Sequence, residues 1–166
     1  MQSTIEIRPD DLTEDAARGL VAFHLSALVG TAPPESVHAL DIDALRQPSI
    51  TVWSAWVDGR IAGIGALRAL DAERGEIKSM RVADGFRGAG VGRAILDHIV
   101  DAARERGMTS LWLETGTTDD FAAAHRLYAS AGFVHCGPFA SYLPDPHSVF
   151  MTRAVTPQPG TTSATA

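Results

Sequence analysis

Cysteine is almost absent from this chain: Cys136 is its one thiol. That excludes an internal disulfide and fits a reducing compartment. Positive charge is in deficit as well. Fourteen Lys and Arg stand against twenty Asp and Glu, giving a net charge of −6 at pH 7 and a pI of about 5.4. That balance argues against nucleic acid as a partner. No apolar run approaches membrane-spanning length, and the opening MQSTIEIRPDD lacks the basic and apolar blocks of a signal peptide. The expectation is a soluble, cytoplasmic protein with no membrane partner. His24, His38, His98, His125, His135 and His147 lie far apart and have no cysteine pair beside them, so no metal site is expected. No internal repeat is visible. What is there is a 166-residue chain, 45% hydrophobic, long enough for one domain with a real core.

The alternating TIEIRP reads as a first strand closed by Pro9. Leu12, Ala16, Leu20, Phe23 and Ala27 recur at helical spacing, which predicts a helix from Leu12 to Val29 capped by Asp10 or Asp11. GTAPPES breaks it, and DIDALRQP suits a short second helix before Pro48. Two apolar runs then flank Asp58-Gly59, a strong hairpin-turn pair. In GEIKSMRV the alternation shifts between Ile77 and Met80, which points to a β-bulge. Val91, Ile95, Ile99 and Ala102 share one face of a helix running from Val91 to Arg106, with Gly107 as its stop.

SLWLETG reads as a strand, and Asp119 or Asp120 suits the cap of a helix from Phe121 to Ala131. FVHCGPF and SVFMTRAV are the last two strands. The order β-α-α-β-β-β-α-β-α-β-β, interrupted by a hairpin, argues for an α/β sheet of mixed direction rather than a doubly wound parallel one. The tail TPQPGTTSATA has almost nothing to bury and is expected to be disordered. The predicted organisation is one domain over 1–155 and a tail over 156–166.

FRGAGVGRA, between a strand and a helix, carries Gly88, Gly90 and Gly92 with Arg87 and Arg93 at its ends. A helix N-terminus offers unpaired backbone N–H groups and partial positive charge, and glycines let an anion come close to them. Arg81, Arg87 and Arg93 would add charge, so the segment reads as a diphosphate cradle. A flexible turn with solvated arginines explains the glycines alone equally well. The phosphate loop of nucleotide hydrolases needs Lys-Ser/Thr after its last glycine, and Arg93-Ala94 stands there instead. The spacing of Gly88, Gly90 and Gly92 also fails the G-x-G-x-x-G dinucleotide pattern.

Arg87-x-x-Gly90-x-Gly92 resembles the Gln/Arg-x-x-Gly-x-Gly/Ala motif of the GNAT superfamily, the GCN5-related N-acetyltransferases. The preceding strand, the following helix and RLYASAGF come in that family's order, and the resemblance runs from about Ile5 to Val155. PPESVHALD, GEIKSMRV, LETG, LYASAGF, CGPF and DPHSVFM are similar to the YsnE-like branch. The resemblance implies a mixed, mostly antiparallel sheet of about seven strands flanked by about four helices, with strands four and five splayed apart.

It further implies acetyl-CoA as the acyl donor and no metal. The pantetheine arm would lie against Met80 and Val82 like an added strand. The pyrophosphate would lie on Arg87, Gly88, Ala89, Gly90, Val91, Gly92 and Arg93, with Arg81 beside it. Tyr128 in RLYASAGF matches the family's general-acid tyrosine and would also touch the cofactor; packing with Leu127 and Phe133 is the plainer role for it. Glu76 is the first choice of general base, because family members with a glutamate base on this strand carry it there. Glu114 is the second choice, and a water chain the third. Either carboxylate would need a raised pKa to act near neutral pH, and each also reads plainly as a hydrogen-bonded strand-end carboxylate.

The stretch TGTTDDFAAAH lacks the asparagine that many members carry after strand five, leaving Thr117, Thr118 or Asp119 as stand-ins. Substrate-facing candidates are Glu35, His38, Lys78, Glu114, Tyr142 and His147. The implied activity is acetyl transfer to the primary amine of a small molecule, such as an amino acid or short peptide. A non-catalytic acyl-CoA sensor and a protein-lysine acetyltransferase are the alternatives. Dimers are common among proteins this resembles, so a homodimer is one expectation.

Overall fold

The computed structural model describes residues 3–157. All of the expected tail except Thr156 and Pro157 lies outside the described residues. Seven strands form one sheet: β1 (Ile5–Pro9), β2 (Ile50–Val57), β3 (Arg60–Ala69), β4 (Arg74–Val82), β5 (Ser110–Gly116), β6 (Val134–Cys136) and β7 (Ser148–Ala154). The helices are α1 (Asp15–Leu28), α2 (Ile42–Leu45), α3 (Val91–Glu105) and α4 (Ala122–Ser130). The spatial order is β1-β2-β3-β4-β5-β7-β6. Among the described residues every adjacent pair is antiparallel except β4 and β5, which run parallel.

The hairpin between β2 and β3 turns at Asp58-Gly59, both at positive φ, as a tight turn with right-handed strand twist requires. Two cores lie on opposite faces of the sheet. On one, Ile95, Leu96 and Ile99 of α3 pack against Leu67, Ile77, Leu111 and Leu113. Fully burying a side chain of that size stabilises by about 1.5–3 kcal/mol. Gly63 and Gly65 of β3 let α3 sit this close: a Cβ on Gly65 would fall 2.6 Å from Ile95 Cγ2. On the other face Ala17, Leu20 and Val21 of α1 meet Val52, Ile64 and Ala66.

α1 departs from its predicted start. Asp10 and Asp11 do not cap it; their carboxylates accept from the backbone N–H of Leu12 and Thr13, forming local turns. The helix then begins at Asp15 behind Glu14, and its buried stripe is Ala17, Leu20, Val21 and His24. Phe23, one of the residues at helical spacing, is 40% exposed. α4 likewise begins without an aspartate cap, because Asp119–Phe121 forms a single 3-10 turn ahead of it.

The decisive feature lies in the centre of the sheet. β4 and β5 pair from Arg74↔Ser110 to Ile77↔Leu113 and then separate. Lys78–Val82 and Glu114–Gly116 run on without pairing to each other. The bulge expected in β4 is present: its register against β3 shifts between Ala66↔Lys78 and Ile64↔Arg81, with Ser79 at φ 58°.

Candidate active site

A cavity of about 560 Å³ opens where the two strands part. Its wall runs from α1 (His24, Ala27, Leu28) and the loop behind it (Ser36 to Ala39), across β4 (Lys78 to Arg81), to β5 (Glu114 to Gly116) and α4 (Ala122 to Ala124, Tyr128). His147, from the loop before β7, also lines it.

Of the glycine loop only Arg87 lines the cavity, and the loop's glycines have different physical roles. Gly88 (φ 76°) and Gly90 (φ 83°) hold left-handed backbone, with open space where a Cβ would go. Gly92 is helical, and a Cβ there would press on Leu127 at 3.3 Å and Val82 at 3.4 Å. Gly90 is the N-cap of α3 and supplies no side-chain cap. The first backbone N–H to close an intrahelical bond is that of Ala94, onto the Gly90 carbonyl. The N–H groups of the first turn ahead of it therefore have no helical acceptor.

Arg87 lines the cavity and pairs with Asp84 at 3.0 Å. Arg93 instead turns along α3 to Asp97 and across to Ser130 of α4. The Val91 side chain is buried in the core beneath.

On the α1 face of β4, Glu76 is 1% exposed and does not line the cavity. The Tyr142 hydroxyl donates to its Oε2 at 2.5 Å, and Lys78 Nζ stands 3.6 Å from the same oxygen. Lys78, the sole lysine of the chain, also donates to Tyr142 Oη at 2.9 Å and to the His38 carbonyl at 3.0 Å. The His38 ring sits edge-on to Tyr142. Burial, and next the Glu76 charge, push the Tyr142 phenol up. This cluster fastens two loops, those of His38 and Tyr142, onto one strand. Tyr142→Phe leaves the buried Lys78 and Glu76 short of a partner. It is expected to lower unfolding stability by about 1–3 kcal/mol in chemical denaturation.

Glu114 is the carboxylate that β5 delivers to the cavity wall. Ser148 donates to its Oε2 at 2.9 Å. Burial raises its pKa, and the Ser148 hydrogen bond opposes part of that rise. Tyr128 reaches the wall from α4, on the α3 side of the sheet. It is 6% exposed, packs edge-on to Phe133, and burial raises its phenol pKa. Met80, Arg81, His38 and His147 are on the same wall. Glu35 is exposed and off it. In the stretch without asparagine, Asp119 and Asp120 line the cavity while Thr117 and Thr118 do not.

Sequence spacing missed His24. It is 7% exposed on α1, lines the cavity, and accepts from Arg81 Nε on its Nδ1 at 2.9 Å. Burial first, then the charges of Arg81 and Lys78, hold its pKa at about 4. A histidine one turn on from Leu20, on the apolar stripe, was the available signal.

Residues 10–133 match the family model for the acetyltransferase (GNAT) family. The chain is 49% identical to an uncharacterized N-acetyltransferase, YedL, of Escherichia coli (strain K12), over 88% of this chain and 92% of that protein. It is 48% identical to another, YsnE, of Bacillus subtilis (strain 168), over 90% of this chain and 99% of that protein. The crystal structure of a putative acyl-CoA N-acyltransferase from Klebsiella pneumoniae superposes with a TM-score of 0.75 at 27% identity, covering 92% of this chain and 98% of that one.

Proposed function

The chain belongs to the acetyltransferase (GNAT) family and is an acyltransferase, and from that premise we propose that it moves an acetyl group from acetyl-CoA to the primary amine of a small molecule, such as an amino acid or short peptide, by direct attack in a ternary complex. The observation that carries this reading is the position of Glu114 and Tyr128 on one cavity, approached from opposite faces of the sheet where β4 and β5 part. The family uses acetyl-CoA, and the residues present fit it. The splay leaves β4 backbone unpaired for an extended arm, and the start of α3 has uncapped N–H groups behind two left-handed glycines. Met80, Val82 and Arg87 to Gly92 are the residues proposed to hold it; Arg81, placed beside the pyrophosphate by sequence, points to the α1 face instead and is left out of that set.

Bound acetyl-CoA supplies a thioester carbonyl and a thiol leaving group. Glu114 takes the proton that the attacking amine must lose, which keeps nitrogen's lone pair free. Tyr128 gives its hydroxyl proton to the departing sulfur as the C–S bond breaks and the C–N bond forms. Backbone N–H groups at the bulge would polarise the carbonyl. Glu76, off the cavity wall, holds Lys78 and Tyr142 and so shapes the acceptor end. The loops bearing His38 and His147 contribute to the wall, which supports a small acceptor over a peptide segment of a folded protein.

Free CoA should appear when the protein meets acetyl-CoA and a panel of small amines. Tight acetyl-CoA binding with no thiol release across the panel would overturn the transferase reading in favour of a sensor. Gly90→Val tests the cradle separately. A β-branched side chain resists φ 83°, so the loop must rearrange at a cost of about 1–3 kcal/mol. Acetyl-CoA affinity by calorimetry should fall about tenfold or more, and unchanged affinity would contradict the cradle.

A further inference from the structure

We propose that Arg81, oriented by His24, binds an anion at the acceptor end of the cavity, and that the amine substrate therefore carries a carboxylate. This rests on the acetyl-transfer reading above and adds a substrate class to it.

The bulge at Ser79 is what brings Arg81 to that end. In a regular strand Lys78 and Arg81, three positions apart, point to opposite faces. The extra residue restores them to one face: Lys78 pairs in register with Ala66, and Arg81 with Ile64. Ala66 and Ile64 both pack in the α1-side core. Arg81 thus projects towards α1, where the Phe23 ring stands 5.8 Å from its guanidinium. The start of α3, the proposed donor cradle, belongs to the opposite face, with Val91 and Ile95 in the other core. Nearness in sequence to the glycine loop suggests a donor-side role for Arg81; strand register turns its side chain to the α1 face, although the charges of Arg87 and Asp84 still act on it.

The partner of Arg81 is chemically unusual. Nε donates to His24 Nδ1, so the ring proton sits on Nε2 and the imidazole is neutral. His24 fixes the guanidinium without neutralising it. Among the described residues no carboxylate lies within ion-pair distance of Arg81: Glu76 is with Lys78, and Asp84 is with Arg87. Arg126 also lines the wall but is exposed. Arg81 is half-buried, and a buried cation lacking a counter-charge is unfavourable. With Nε occupied, its terminal nitrogens remain for an incoming carboxylate, whose two oxygens match that geometry. Small neighbours on the wall, Ala27 and Thr31, leave room there.

The test uses the standard α-amino acids, each paired with its decarboxylation product. Thiol release measures turnover, and calorimetry measures binding to the CoA-loaded protein. At least one amino acid should be preferred over its decarboxylated amine by about 30-fold or more, the effect of one well-formed buried charge pair. Arg81→Gln should abolish that preference and leave acetyl-CoA affinity unchanged. His24→Gln, whose side-chain oxygen can still accept from Nε, should keep most of the preference. His24→Glu, which supplies a counter-charge, should remove it with the protein still folded by circular dichroism.

A fall in acetyl-CoA affinity in Arg81→Gln, with the preference retained, would assign the anion to a phosphate of the donor and overturn the proposal. So would the absence of any preference, in turnover and in binding, across the whole panel. Amino-acid binding to the CoA-loaded protein without thiol release would keep the anion site and remove the transferase reading instead.

Discussion

Glu114→Gln is expected to lower kcat by about 10²- to 10³-fold while acetyl-CoA affinity stays unchanged. The substitution keeps the shape of the side chain and its ability to accept from Ser148. It removes only the capacity to take a proton. The pH dependence gives a second readout. Burial raises the Glu114 pKa above its ordinary value, and the ionised form is the one that acts as base. The acidic limb of kcat/KM should therefore be displaced upward from that of an ordinary glutamate, with the rate rising through it to a plateau.

That limb should vanish in Glu114→Gln. Stability should respond in the opposite sense. A carboxyl whose folded pKa is raised loses stability as pH rises from its unfolded pKa through its folded pKa. Glu114→Gln should flatten that part of a stability-against-pH curve. Glu76→Gln is the control. It disturbs Lys78 and Tyr142, so it should act mainly through KM for the amine and through stability. A large kcat loss in Glu76→Gln, with full turnover in Glu114→Gln, would return the base role to Glu76.

Tyr128→Phe carries the other large effect: a loss of about 10²- to 10³-fold in kcat, with little change in melting temperature or acetyl-CoA affinity. The phenyl ring keeps its edge-on contact with Phe133 and its place in the core. Only the hydroxyl goes. Because burial pushes the phenol up, Tyr128 keeps its proton at neutral pH, as a donor to a leaving thiolate must. Full turnover in Tyr128→Phe would leave Tyr128 as a packing residue and assign the proton to another source. A large drop in stability would point the same way.

Much of the fold is legible in the sequence. Asp58-Gly59, the stripe of α3 and Gly107 are local signals, each acting within a few residues. Backbone sterics and helix periodicity therefore set the element order directly. Arg87-x-x-Gly90-x-Gly92 was legible for the same reason, since the left-handed turn at Gly88 and Gly90 is a local demand. The start of α1 was misread because Asp10 and Asp11 had two local options. The turn at Leu12 and Thr13 used their carboxylates before the helix began.

The chemistry of the cavity depended on contacts far apart in the chain. Arg81 meets His24 across 57 positions, and Tyr142 meets Glu76 across 66. No spacing rule predicts such partners. The strand alternation that makes sequence reading possible also misleads here, because one inserted residue at Ser79 reverses which side chains share a face. Glu76 ranks ahead of Glu114 on the resemblance alone, both being strand carboxylates. Parting of β4 and β5 beyond Ile77 and Leu113 leaves one buried against Lys78 and the other on the wall. The sequence by itself determined the elements, the family resemblance and the glycine turn, because these follow from local sterics and periodicity. Tertiary structure alone decided which carboxylate lines the cavity and which face of the sheet Arg81 takes, because strand register and splay arise only when distant segments pair.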